Sequence, residues 1–104
     1  MFARNISIHL KPNTLSDFTL AFEKDIVPIL RKQAGFRDEI VLAGENTNNV
    51  NAISLWDSKE NAEAYNTNTY PGVVTKFARI IDGTPKVQTF EAVSSTLHNV
   101  AVAV

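Results

Sequence analysis

The first ten residues alternate in character. Phe2, Ile6, Ile8 and Leu10 fall on one parity, while Ala3, Asn5, Ser7, His9 and Lys11 fall on the other. Successive side chains of a strand point to opposite faces, so this period of two predicts a half-buried strand that Pro12 ends. The period then changes: Leu15, Phe18, Phe22, Ile26 and Ile29 recur at spacings of 3, 4, 4 and 3, with Ala21 and Leu30 widening the stripe. That is the signature of a helix with one apolar face. Asn13 or Thr14 is placed to cap it, and Thr14 with Asp17 makes a shortened capping box. Asp17 near the start and Arg31 with Lys32 near the end suit the helix dipole. Pro28 lacks a donor and clashes with the preceding turn, which predicts a kink or break near Lys24 to Val27.

Gly35 is a helix stop. Phe36 to Ala43 then reads as a strand with Phe36, Ile40 and Leu42 on one side and Arg37, Glu39, Val41 and Ala43 on the other. Glu45 to Asn49 is a hairpin loop, because Asn tolerates left-handed backbone geometry, and Val50 to Trp56 returns as the partner strand. Asp57-Ser58-Lys59-Glu60 carries a cap with an acid behind it and opens a helix with Ala62 and Tyr65 on one face. Thr67 to Thr69 weaken that helix and Tyr70-Pro71-Gly72 interrupts it. A second stripe, Val73, Val74, Phe77, Ile80 and Ile81, runs until Gly83 and Pro85. Lys86 to Val93 forms the last strand of the pattern, and the tail Thr96 to Val104 alternates again.

The order is β-α-β-β-α-β with an extra C-terminal strand. This predicts an α+β fold, the ferredoxin-like plan in which an antiparallel sheet carries both helices on one face. The sheet's other face then has no cover within one chain, and apolar residues fall on both parities of the later strands. An exposed apolar terminal strand is an aggregation hazard unless another chain covers it. A homodimer is therefore expected, with residues 94–104 of the single 1–104 domain contacting the partner subunit.

Composition narrows the function classes. The chain has 104 residues, with ten Lys plus Arg against eleven Asp plus Glu and no Cys. A domain of this length buries roughly 65% of its unfolded surface, which leaves little stability to spare. The near-neutral balance offers no basic stripe for nucleic acid and no patch for an anionic membrane. Without Cys there are no disulfides, thiolate zinc sites or thiol nucleophiles. No apolar run reaches the ~18 residues of a membrane span, and MFARNISIHL lacks a signal-peptide layout, so a cytoplasmic protein is expected.

Certain segments are similar to the antibiotic-biosynthesis-monooxygenase-like family of dimeric α+β barrels. They are Leu10-Lys11-Pro12, Pro28 to Phe36, and Leu55-Trp56-Asp57-Ser58-Lys59-Glu60-Asn61-Ala62-Glu63-Ala64-Tyr65, extended by Tyr70-Pro71 and Pro85-Lys86-Val87. The resemblance covers roughly residues 4 to 96 and implies the ferredoxin-like dimer. It also implies several chemistries, among them oxidation of polycyclic phenols by O2 without metal or flavin, haem degradation and quinol-type oxygenation. The haem-degrading type uses an Asn on the first strand, a Trp on the second helix and a His about ten residues later. Here those places hold Ile6 or its neighbour Asn5, Tyr65, and a stretch, residues 73–77, with no His. The phenol oxidases place an Asn four residues before the strand-ending Trp and a basic residue on the second helical segment. Trp56 matches, Ala52 replaces the Asn, and Lys76 or Arg79 stands loosely for the base.

The resemblance thus implies a cofactor-independent monooxygenase acting on a small aromatic or quinol-like molecule. A non-catalytic dimeric module binding a small hydrophobic ligand is the alternative. Cofactor-free oxygenation needs a phenolic substrate held as its anion in a pocket that excludes water. Trp56 either stacks on such a ligand or closes the junction of sheet and helices as a core aromatic. Tyr65 offers a ring and a hydroxyl beside the helix interruption, and His9 is the natural general base by its neutral-range titration. His9 nevertheless shares a parity with Asn5 and Ser7, on the face expected to meet the partner. Tyr70, Phe22, Phe77, Lys76 and Arg79 complete the expected substrate-binding set, Lys76 and Arg79 also being explicable as a solvated helix face. His98 lies in the tail beside Asn99. No metal is expected, since the two His are not spaced as a pair and no acid cluster supplies further ligands.

Overall fold

Four strands form one antiparallel sheet in the order β2-β3-β1-β4: β1 Phe2–His9, β2 Phe36–Ala43, β3 Asn49–Trp56 and β4 Lys86–Glu91. The structure is a computed structural model and describes residues 1–97. Arg4, Ile6 and Ile8 of β1 stand opposite Ser54, Ala52 and Val50 of β3. All six face the helices, and except for the half-buried Ile6 all are buried. This is the ferredoxin-like plan that the alternation predicts. The expected extra C-terminal strand is not found in residues 94–97, and the rest of that tail, with His98, lies outside the described residues.

The first helical stretch is built from α1 Leu15–Ala21, a π-helical turn Phe22–Ile26 and α2 Val27–Arg31. Its deepest residues are Phe18, Phe22, Ile26 and Leu30, between 1% and 8% exposed. They follow one another at a spacing of four. A continuous α-helix turns ~40° too far at each such step and would rotate the stripe off the core. The wider π turn absorbs that rotation and keeps all four on one face. It also lies just where Pro28, at the start of α2, would otherwise collide with the preceding turn. The predicted break near Lys24 to Val27 is this π turn. Leu15, the head of the expected stripe, is 44% exposed.

Three local readings need correction. Thr14 makes no capping hydrogen bond, because its hydroxyl donates instead to the Lys11 carbonyl at 2.7 Å. Phe36 does not share a face with Ile40 and Leu42. A bulge at Arg37 shifts the register, so Phe36 pairs with Trp56 and Glu39 with Ser54, all facing the helices, while Ile40 and Leu42 face away. The second stripe leaves the helix early: α3 Lys59–Asn68 and α4 Tyr70–Lys76 meet at Thr69, and beyond Lys76 the chain turns so that Ile81 bridges Leu10. The cap of α3 is Ser58, one residue beyond the start of the Asp57–Glu60 pair, and its hydroxyl accepts from the Asn61 amide and donates to the Asn61 side-chain oxygen.

Gly35 has φ 77°, and a β-carbon there would fall 2.3 Å from the Asn61 side chain. Only glycine permits both the left-handed turn and that close approach of α3. Its carbonyl accepts from the Asp57 amide at 2.8 Å, tying the start of β2 to the end of β3.

Candidate functional site

The cavity lies between the helix face of the sheet and the two helical stretches. Ile6, Phe18, Phe22, Val73, Phe77 and Ile81 make its apolar wall, and Arg4, Glu39, Ser54, Tyr65 and Tyr70 its polar end. It encloses about 460 Å³ counting the part open to solvent. Between the side chains themselves there is space for only about two waters, so a ring-sized ligand requires the walls to part. The junction at Thr69, between α3 and α4, borders this wall, and Tyr70 begins a new helix there with no side-chain cap.

Arg4 is the centre of the polar end. It is 1% exposed, and its guanidinium carbon lies 4.6 Å from the Tyr70 ring centre and 5.1 Å from that of Tyr65. Cation–π contacts of this kind are strongest when water is excluded. Nη2 donates to the Asn66 side-chain oxygen at 2.8 Å, while Nη1 is buried without a partner. Burial lowers the Arg4 pKa, opposed by the two tyrosines and Glu39. Arginine stays charged in proteins nonetheless, so the cavity holds a fixed cation. Burial raises the Glu39 carboxyl to about 8 against the pull of Arg4. It raises Tyr65 to about 12, and Tyr70 also upward, again against Arg4. Both tyrosines therefore stay neutral donors near pH 7, and neither serves as a base.

The residues singled out from sequence divide in two. Tyr65, Tyr70, Phe22 and Phe77 come together in the cavity wall. Trp56 sits one layer behind: fully buried, it stacks on Tyr65 at 5.1 Å and donates its indole N–H to Ser54 Oγ at 2.9 Å. His9 lies on the opposite face of the sheet, bonded to Asn49 at 2.7 Å, because its odd position on β1 points away from the helices. Lys76 and Arg79 are exposed and do not line the cavity. Arg4, Glu39 and Ser54 were missed. The available signal was charge at a buried parity, since Arg4 occupies the same side of β1 as Ile6 and Ile8. Asn5, one haem-type position, faces away from the cavity with His9, and Ile6 faces in. Among the described residues, no group of three or more His, Cys, Asp or Glu could hold a metal ion, and no helix is long and apolar enough to cross a membrane.

No family model and no curated protein matches the chain. Solved structures do. An antibiotic biosynthesis monooxygenase shares 14% identity over 90% of this chain and 100% of that one, with a TM-score of 0.70. The fold is that of the antibiotic biosynthesis monooxygenase structures. A monooxygenase from the ActVA-Orf6 gene of Streptomyces coelicolor, in complex with nanaomycin D, matches at 14% identity, 94% and 92% coverage and a TM-score of 0.74. A mutant of MhuD with two manganese protoporphyrin IX molecules per active site matches at 14%, 92%, 98% and 0.73. Identities this low establish a shared fold.

Proposed function

We propose that this chain is an antibiotic-biosynthesis-monooxygenase-like protein whose cavity takes a small aromatic or quinol-like molecule and oxidises it with O2, without metal or flavin. The observation that carries this reading is the buried Arg4, stacked on Tyr65 and Tyr70 with one amino group free at the end of an apolar cavity. A fixed cation in a dry site favours the phenolate form of a bound phenol, and a phenolate is electron-rich enough to pass an electron to O2. The substrate then supplies every electron. A ring CH2 conjugated to the phenol becomes C=O, taking one oxygen atom, and the other leaves as water with the two hydrogens. The neutral Tyr65 and Tyr70 hydroxyls orient the ring, and the Phe18, Phe22 and Phe77 wall keeps water out. Among the described residues no histidine lines this cavity to meet a porphyrin, which favours the smaller ligand.

The reading includes a second copy of the chain. Ile40, Leu42 and Phe90 are 55%, 47% and 51% exposed on the sheet face away from the helices, where another sheet would cover them. The rival reading, a binding module without turnover, is favoured by one observation: His9, Lys76 and Arg79 all lie outside the cavity. Oxygen uptake by metal-free protein with an anthrone-like or hydroquinone substrate separates the two. No turnover by the wild type, with unchanged ligand binding in Trp56→Phe and Tyr65→Phe, overturns the oxygenase.

A further inference from the structure

A row of three side chains crosses three strands on the helix face. Glu39 of β2 pairs with Ser54 of β3, and Ser54 with Arg4 of β1. The two charged residues thus start about 9.6 Å apart at the backbone, two strand spacings, and both border the cavity. Each carries a buried polar atom with no partner, Nη1 on Arg4 and Oε1 on Glu39. Leaving one such atom buried and unbonded costs about 1–3 kcal/mol, and more where the group is charged. Asn66 explains only the other Arg4 amino group, and it borders a separate cleft beside β4, on the far side of Arg4. Two unsatisfied atoms at the polar end of one cavity are what a site awaiting one polar ligand group presents.

Resting on the reading that this cavity is the ligand site, we propose that Arg4 and Glu39 form an anion-and-proton site. It binds a small ring compound through one anionic oxygen group that accepts from Arg4 Nη1 on one side and from a proton-bearing Glu39 carboxyl on the other. Charge balance supports the pairing. With Glu39 neutral, the cavity carries a single positive charge and the ligand anion completes it. With Glu39 ionised, Arg4 is already neutralised and the incoming anion meets a like charge. The polar groups that share the cavity with Glu39 are Arg4 on β1, Ser54 on β3, Tyr65 on α3 and Tyr70 on α4, while α1, the π turn and α2 present apolar side chains to it. On its outer side Glu39 also borders a groove with Glu23, Arg31, Arg37 and Asp38, which are of mixed sign. Burial, with Glu39 held to about 8, keeps the proton in place at neutral pH. Glu39 is here a ligand-binding group in its acid form, and its ionisation is a release signal.

The test uses the full chain in O2-free buffer, so that binding is read without turnover. The probes are 4-nitrobenzoate, 4-nitrophenol and the neutral 4-nitrobenzamide, titrated calorimetrically. The carboxylate and phenolate arms separate the two sources of an anionic oxygen. The expected result at pH 7 is at least about tenfold tighter binding of one of them than of the amide, a preference that Arg4→Gln removes. Above pH 8 the dissociation constant of 4-nitrobenzoate, ionised throughout, should rise about tenfold per pH unit and should stay flat in Glu39→Gln. Equal affinity for anion and amide, no binding of either anion, or the same pH profile in Glu39→Gln overturns the site. If Arg4→Gln does not fold, the Glu39→Gln profile decides alone. Anion binding of this kind in a chain that consumes no O2 keeps the site and removes the oxygenase, and turnover without anion preference does the reverse.

Discussion

The Trp56 indole donates to the Ser54 hydroxyl at 2.9 Å, from two residues further along the same face of β3. Trp56 therefore touches the site only through others. It holds Ser54 in the row between Glu39 and Arg4, and it backs the Tyr65 ring at 5.1 Å. Trp56→Phe keeps an aromatic ring but deletes the donor and leaves a void against Tyr65. Denaturant unfolding should show a loss of about 2–3 kcal/mol. A ligand that stacked on Trp56 directly would instead lose affinity with little change in stability.

Glu39 makes stability depend on pH with a definite sign. Its carboxyl sits at about 8 in the folded chain and near 4.5 when unfolded, so between those values the folded state binds the extra proton. Stability should fall as pH rises from about 5 and level off past about 8, by a few kcal/mol at most, ~1.4 kcal/mol for each unit of separation. Glu39→Gln removes the titrating group. Its unfolding midpoint should match the wild type at pH 5, exceed it at pH 9, and show a flatter slope between.

Much of the fold was readable because periods of two and four leave visible stripes. The β-α-β-β-α-β order, the break ahead of Pro28 and the Gly35 stop each follow from local chemistry. The bulge at Arg37 was not readable, since nothing in Phe36-Arg37-Asp38 marks an extra residue, and it exchanged which side of β2 faces the helices. That single slip hid Glu39, because the unbroken parity placed it on the side opposite Phe36, Ile40 and Leu42. Arg4 was hidden differently: it stands among Ile6 and Ile8 at a buried parity, where a charge reads as noise until its tyrosine neighbours appear from 61 and 66 residues away. Phe22, Tyr65 and Phe77 meet in the cavity wall because each lies on a helix stripe whose inner face was legible, whereas Tyr70, read as part of an interruption, joins them as the first residue of α4.

The two tyrosines of the chain should titrate late. Burial raises both, Tyr65 to about 12, although Arg4 pulls each back. Ultraviolet titration of the native protein should show less than half of its tyrosine ionised at pH 10, where a free tyrosine is half ionised. Tyr70→Phe should leave one transition near 12. Removing the cation in Arg4→Gln should push the remaining ionisation higher still, whereas a tyrosine that ionises at its ordinary value in the folded chain would show that the cavity is wet.

The open sheet face leads to the last prediction. Ile40 and Ile53 stand opposite each other there, as do Phe90 and Ala3, with the Ser7–Asn51 hydrogen bond at 3.0 Å beside them. A face of this kind, apolar at both edges and polar along one end, suits a second copy that brings the same pattern in reverse, as two-fold symmetry requires. Light scattering at micromolar concentration should give twice the chain mass. Ile40→Asp puts a charge on the apolar β2 edge of the contact and should halve that mass while leaving the helix-face core, and hence the circular dichroism spectrum, unchanged. A wild-type monomer at that concentration sinks the dimer, and so does an Ile40→Asp dimer of undiminished affinity.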